Sequence, residues 1–257
     1  MKILILGRND DFTKIIFNKI YEIEQDLFLI EEKKPKFIKF FRNRIKKYGF
    51  LKVIGQILLI ILIFPILKKL SQKRITDIIK ENNFSTSVSN LIIGKNYFKY
   101  ENINLQEVKE KIIELNPELI IVNGTRIISK NILESTDKFF INMHSGITPK
   151  YRGVHGAYWA LVNNDKENCG VTIHVVDKGI DTGKIIGQTR IFPTKSDNLI
   201  IYPYLQLSKG IKLELELIDK IKKGDKFSYI NNNLESHLYT HPTILEYIKN
   251  LLVKNIK

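Results

Sequence analysis

The stretch Phe139-Phe140-Ile141-Asn142-Met143-His144-Ser145-Gly146 is an apolar run that ends in polar residues, the pattern of a buried strand arriving at a loop. Further on, Val171–Val176 leads in the same way into Asp177-Lys178-Gly179-Ile180-Asp181-Thr182-Gly183. Asn142 and Asp181 both lie just past such runs and are expected to converge at one edge of a sheet. Working outward, Ile3–Leu6, Leu27–Ile30, Leu91–Ile93 and Glu118–Val122 read as further buried strands, and Lys184–Ile191 as a partner for Val171–Val176. An amphipathic helix is expected over about 11–21. Leu105, Val108, Ile112 and Leu115 mark a second, with Pro117 just past its end. Ala157–Val162 and Leu205–Lys223 read as two more. Alternating strands and helices predict an α/β chain, with a Rossmann-like, mostly parallel sheet and helices on both faces. Ligands bind such sheets beyond the carboxyl ends of the strands. The expected organisation is a main domain over 1–204, interrupted by a basic apolar helical insert at 33–74. A C-terminal helix and short helical tail over 205–257 complete it.

At 257 residues and 44% hydrophobic, the chain can bury one substantial core. A single cysteine, Cys169, excludes an internal disulfide framework and reads as a small buried thiol in a reducing compartment. With Ile3–Leu6 following the first residues directly, no signal peptide is expected and a cytoplasmic location is. The net charge of +14 would ordinarily suggest a nucleic-acid partner. Its distribution argues otherwise: residues 33–74 hold thirteen Lys or Arg and no Asp or Glu, so +13 of the +14 falls there and the rest carries +1. A nearly neutral globular body with one basic insert is not the footprint of a nucleic-acid face.

Within the insert, only Ile57–Phe64 is an unbroken apolar run, and Pro65 ends it. That falls short of the roughly 20 residues that span a bilayer. Packing on the domain or on a second subunit, giving a homodimer, is the plainer reading. Peripheral contact with the inner face of an anionic membrane is the alternative.

Asn142, His144 and Asp181 carry the chemistry. Transfer of an acyl group to an amine needs a donor to a developing oxyanion and groups that move protons; an amide, an imidazole and a carboxylate supply them. Asn142 and His144 are two apart, so in extended backbone their side chains share one side.

From Asn142-Met143-His144 through Pro149 to Tyr151-Arg152-Gly153, the chain resembles the active-site segment of folate-dependent formyltransferases. Asp177–Gly183 resembles the family's carboxylate-bearing segment, and the 39 residues between Asn142 and Asp181 match its spacing. The resemblance is strong over 119–192. It departs at Gly146-Ile147-Thr148-Pro149, where many members have Ser-Leu-Leu-Pro. The resemblance implies N10-formyltetrahydrofolate as formyl donor. It further implies that Asn142 and a protonated His144 donate to the oxyanion. His144 then protonates the departing nitrogen, and Asp181 holds the imidazolium and helps deprotonate the amine. It also implies that the folate lies against Gly124, Thr125, Arg126, Ile127 and Ile128 and on the loop Asp177, Lys178, Gly179 and Ile180.

The acceptor is chosen by elimination. Methionyl-tRNA enzymes carry a sizeable C-terminal domain, for which the residues after about 205 leave little room. The glycinamide ribonucleotide enzyme is a compact relative with a richer phosphate loop. A nucleotide-linked amino sugar, of the 4-amino-4,6-dideoxyhexose kind used in surface polysaccharides such as O-antigen and lipopolysaccharide, is therefore expected. A glycinamide ribonucleotide-type or methionyl-tRNA-type formyltransferase stays as the first alternative, and a membrane-surface binding protein of the same fold without turnover is the rival from another class. Arg8 and Asn9, after the first strand, are candidates for a substrate phosphate at a helix N-terminus, against an ordinary capped turn. Arg152 and His155 are candidate substrate contacts. His174, inside a strand pattern, reads as structural; Tyr158 and Trp159 read as core before stacking platform. His237 and His241 lack partners at ligand spacing, and no metal is expected.

Overall fold

The computed structural model describes residues 1–34, 37–87, 96–225 and 228–257, with backbone alone at 37–40. The strand expected at Leu91–Ile93 lies outside the described residues. Seven strands form the main sheet: β1 (Ile3–Arg8), β2 (Leu27–Glu32), β3 (Tyr97–Tyr100), β4 (Leu119–Val122), β5 (Phe139–His144), β7 (Gly170–Val175) and β8 (Ile185–Arg190), in the order β3-β2-β1-β4-β5-β7-β8. β1 to β5 pair in parallel, while β7 and β8 are antiparallel additions. A separate pair joins β6 (Arg152–Gly153) to β9 (Leu238–Tyr239).

Apolar side chains alternate between the faces of β1 and β4 and build a core on each side. Ile3, Ile5, Leu119 and Ile121 pack with α1 (Asp11–Tyr21) and α8 (Tyr202–Lys222). Leu4, Leu6, Ile120 and Val122 pack with α5 (Gln106–Leu115) and Ile132 of α6 (Lys130–Leu133). α8 begins three residues before its expected start, with Pro203 in its first turn, where the missing N–H has no partner to lose. Leu207, Ile211, Leu217 and Ile218 place it in the main core.

One difference from the sequence reading has a local cause. β2 continues through Glu31 and Glu32, charged residues that would normally end a buried strand. Glu32 is paired with Arg126 and accepts from the Ile103 and Arg126 amides at 2.9 and 3.0 Å, while Glu31 accepts from the Tyr97 hydroxyl at 2.5 Å. The expected helical tail is α9 (Ile244–Lys254), opened by a reciprocal cap between Thr243 and Glu246.

The insert is helical: α2 (Phe37–Tyr48), α3 (Phe50–Leu58), a π turn (Leu59–Ile63) and α4 (Phe64–Glu81). It helps build a third core, in which Leu59 and Leu67 meet Tyr151, Tyr158, Val162 and Tyr247, contributed by α7 (Gly156–Val162), α9 and the loop before β6.

Glu214 in α8 is 1% exposed and its Oε1 has no hydrogen-bond partner; burial pushes its carboxyl up from 4.5 to about 8. The folded chain therefore holds this proton where the unfolded chain has released it. The side chain's contribution to stability is intact below pH 4.5 and is lost as pH rises towards about 8. Glu214→Gln is expected to melt near the parent at pH 4.5 and several degrees above it at pH 8, since about 1 kcal/mol moves Tm by about 2–4 °C at this size. Equal melting temperatures at pH 8 would contradict the assignment.

Candidate active site

The carboxyl end of β5 and the loops beside it surround a cavity of about 550 Å³. Register decides what converges there. β5 lies antiparallel to β7, so Asn142 is directly opposite His174 and His144 opposite Thr172. The Asn142 Nδ2 is 3.2 Å from His174 Nε2, and the other His174 nitrogen, Nδ1, is 2.8 Å from the Val175 carbonyl. A carbonyl can only accept, so Nδ1 donates to it and Nε2 is left to accept from the amide. That bond fixes the Asn142 rotamer and engages one N–H of its amide.

His144 is 5% exposed. Its Nε2 lies 2.7 Å from the Tyr151 carbonyl and its Nδ1 3.3 Å from Asp181 Oδ2. By the same argument Nε2 donates, which leaves Nδ1, facing the carboxylate, as the ring position able to take up a proton. Burial pushes the imidazole below its usual value of 6.5, against the pull of Asp181 and the Tyr151 carbonyl. Asp181 has a left-handed backbone, φ 53°. Its Oδ2 also accepts from the Gly153 amide at 2.9 Å, and its Oδ1 lies 3.6 Å from His174 Nε2. Burial pushes its carboxyl up, but the pull of His144, the neighbouring His174 and the Gly153 amide outweighs this and holds it below the usual 3.8. It is ionised at neutral pH.

The loop carrying Asp181 is tightly built. Asp177 Oδ1 accepts from the Gly179 amide at 3.0 Å and the Thr182 hydroxyl at 2.7 Å. A Cβ at Gly183 would overlap the Val175 carbonyl, so only glycine permits that approach. Arg152 braces the loop from outside, donating to the Ile180 carbonyl at 3.0 Å.

Of the sequence candidates, Gly124–Ile128, Asn142, His144, His155, Asp177, Gly179, Ile180, Asp181 and Arg8 line the cavity; Asn9, Lys178 and Arg152 do not. Lys178 points out, its amine 3.9 Å from Glu134. The phosphate reading of Gly7–Asp10 gives way to the capped turn. Asp10 Oδ1 accepts from the Thr13 amide at 2.8 Å, so a carboxylate already occupies the helix N-terminus and would repel an anion. Tyr158 and Trp159 belong to the third core: Tyr158 accepts from Asn250 at 3.0 Å, and Trp159 donates to the Thr240 carbonyl at 3.0 Å while stacking on Tyr239. Cys169 is buried, its thiol pushed up to about 12 by burial. Among the described residues no group of three or more His, Cys, Asp or Glu is arranged to hold a metal ion.

Sequence reading passed over one histidine of the cavity wall and another just behind it. His174 looked like strand interior; its facing Asn142 across an antiparallel pair is invisible until register is known. The reach of His241 is likewise tertiary: it sits 2.8 Å from His155, which lines the cavity in a left-handed conformation, φ 60°. Burial lowers His155 to about 3, with His241 beside it adding to the effect, and lowers His241 to about 4.

Comparison with known proteins follows this geometry. A family profile described as "Formyl transferase" matches residues 66–200. A methionyl-tRNA formyltransferase of Thermodesulfovibrio yellowstonii is 40% identical over 116 residues, covering 45% of this chain and 37% of the relative. The chain thus matches well under half the length of that relative. Among solved structures, a 4-N formyltransferase from Francisella tularensis shares the fold with a TM-score of 0.55 at 18% identity, over 93% of this chain and 76% of its own. An N-formyltransferase from Helicobacter canadensis, solved with folinic acid and dTDP-3-aminofucose, does so with a TM-score of 0.56 at 22% identity, over 93% and 70%.

The paired histidines give a direct check. His155 and His241 are expected to stay neutral through pH 5–8, with imidazole NMR signals that do not titrate in that range, because their values lie near 3 and 4. A midpoint near 6.5 for either ring would break the assignment.

Proposed function

Because the chain belongs to the formyl transferase family, we propose that it moves a formyl group from N10-formyltetrahydrofolate to the primary amine of a nucleotide-linked amino sugar. The observation that carries the reaction is the hydrogen-bonded chain His174–Asn142 and His144–Asp181 on the wall of one cavity. The cavity suits the donor: its wall from Val122 to Ile128 offers apolar side chains and backbone groups, and the loop Asp177–Ile180 forms the facing side. When bound there, the folate supplies an activated formyl group.

The chain's own residues then divide the work. Asn142, with one amide N–H held by His174, directs the other at the oxygen that gains charge as the amine adds to the formyl carbon. Asp181, ionised and on the cavity wall, takes the proton the amine loses and shares it with His144 Nδ1 at 3.3 Å. The Tyr151 carbonyl holds the far side of the ring, so the proton travels along the His144–Asp181 line. The same pair returns a proton, through water, to the departing nitrogen. His144 thus serves as a relay, with both ring nitrogens turned to protein acceptors.

For the acceptor, placement of charge supports an amino sugar over tRNA: outside 33–74 the chain is nearly neutral, whereas nucleic-acid affinity rests on spread cationic contacts to phosphate. A methionyl-tRNA acceptor is the second reading, favoured by the 40% identity to the Thermodesulfovibrio yellowstonii enzyme. A cytoplasmic site of action goes with either acceptor.

Incubation with formyl donor and a panel of nucleotide-linked amino sugars, glycinamide ribonucleotide and methionyl-tRNA is expected to formylate an amino sugar. Formylation of methionyl-tRNA alone would replace the proposed acceptor. His144→Ala and Asp181→Ala are each expected to lower turnover by about 10²–10⁴-fold, and Asn142→Ala by about 10²–10³-fold, with melting curves that remain cooperative. Near-normal turnover in the first two would remove the site assignment.

A further inference from the structure

One face of the molecule belongs to neither the cavity nor any of the cores. α3, the π turn and α4 run on as a single 32-residue helix, Phe50–Glu81, whose most apolar window has a mean hydropathy of 2.6 with only 22% of it buried. The inward side is fixed to the protein. Val53, Leu59 and Leu67 are buried, and Gln56, 2% exposed, donates to the His241 carbonyl at 2.7 Å while accepting from Arg44 at 2.8 Å. The outward side presents Leu51, Ile61, Leu62, Ile66 and Leu70, each more than half exposed. Exposed Arg42, Lys46, Lys47 and Lys52 precede this stripe, and exposed Lys68, Lys69 and Lys73 interleave with its end. Nearby, α9 packs against α3 and leaves Leu245, Leu252 and Val253 exposed.

We infer that this face seats the protein on an anionic membrane surface. The outward leucines and isoleucines enter the boundary between headgroups and acyl chains, and the flanking lysines meet lipid phosphates. Charge selects this occupant. A two-fold pairing of copies places the same patch on both sides of the interface, which here would press one +13 segment against another. A nucleic acid would have to lay its phosphates over the apolar stripe between the basic clusters. The helix is long and apolar enough to cross a bilayer, but crossing would pull Gln56 and Leu59 out of the protein and leave a polar side chain unpaired in hydrocarbon. Lying along the surface keeps every inward bond.

The test uses the full chain with vesicles of phosphatidylcholine alone or mixed equally with phosphatidylglycerol. Co-sedimentation is expected with the anionic vesicles at low salt, with weak capture by phosphatidylcholine and partial release as salt is raised. Ile61→Glu with Ile66→Glu, and separately Lys46→Glu with Lys47→Glu, should each weaken partitioning by at least about tenfold. All four side chains are exposed, and circular dichroism with unchanged soluble turnover verifies the fold; should the isoleucine pair fail to fold, the lysine pair alone decides. Equal capture by both vesicle types at low salt, or none by either, overturns the inference. So does a dimer in light scattering that the isoleucine substitutions dissociate while vesicle capture is unaffected by them. The outcome is independent of the formyl-transfer reading, since vesicle capture is measured without substrate.

Discussion

The Asp181 carboxylate joins three parts of the chain that are distant in sequence. It accepts from the Gly153 amide, faces His144 at the end of β5, and lies beside His174 on β7. A largely buried negative charge is costly unless its lone pairs are satisfied. Here the Gly153 amide binds it and two imidazoles lie against it, so the loop 177–183, the turn around Gly153 and the β5–β7 pair have to stay in register. The left-handed backbone at Asp181 and the close approach at Gly183 follow from that requirement. So does the bracing of the loop by Arg152.

The third core ties the helical insert to this arrangement. Phe64 lies edge-on to His155 at 6.3 Å, and His155 in turn meets His241, whose carbonyl is held by Gln56. An element that reads in sequence as an appendage therefore packs against a residue of the cavity wall. Its inward residues are spent on packing and hydrogen bonds, and its outward residues have no counterpart in the protein. A helix with two such different faces is shaped by two environments at once, which is why the single apolar run Ile57–Phe64 describes it poorly.

Long, unmixed apolar runs were legible. β1, β4 and β5, the helix of α5 and the α/β class come from periodicity that packing only reinforces. β2 was read short because Glu31 and Glu32 are charged, and only their partners Tyr97, Lys99 and Arg126 make them strand residues. The helical tail is α9, and the capping box of Thr243 and Glu246 fixes where it starts. The turn Gly7–Asp10 was ambiguous by sequence, since anion sites and Asx caps use the same residues. Asp10 resolves it by accepting the helix amide itself.

By itself the sequence determined which side chains are available for chemistry: an amide and an imidazole two apart at a strand end, and a carboxylate in a glycine-flanked loop. Local spacing and hydrophobic pattern suffice for this, because they act between neighbours in the chain. Only the tertiary structure decided how those groups face one another. The antiparallel register of β5 and β7 sets His174 against Asn142, and the Tyr151 carbonyl turns the His144 ring so that Nδ1, the position able to take up a proton, faces Asp181. Pairings of that kind depend on strand register and on where buried donors find acceptors, and neither is written in the spacing of residues along the chain.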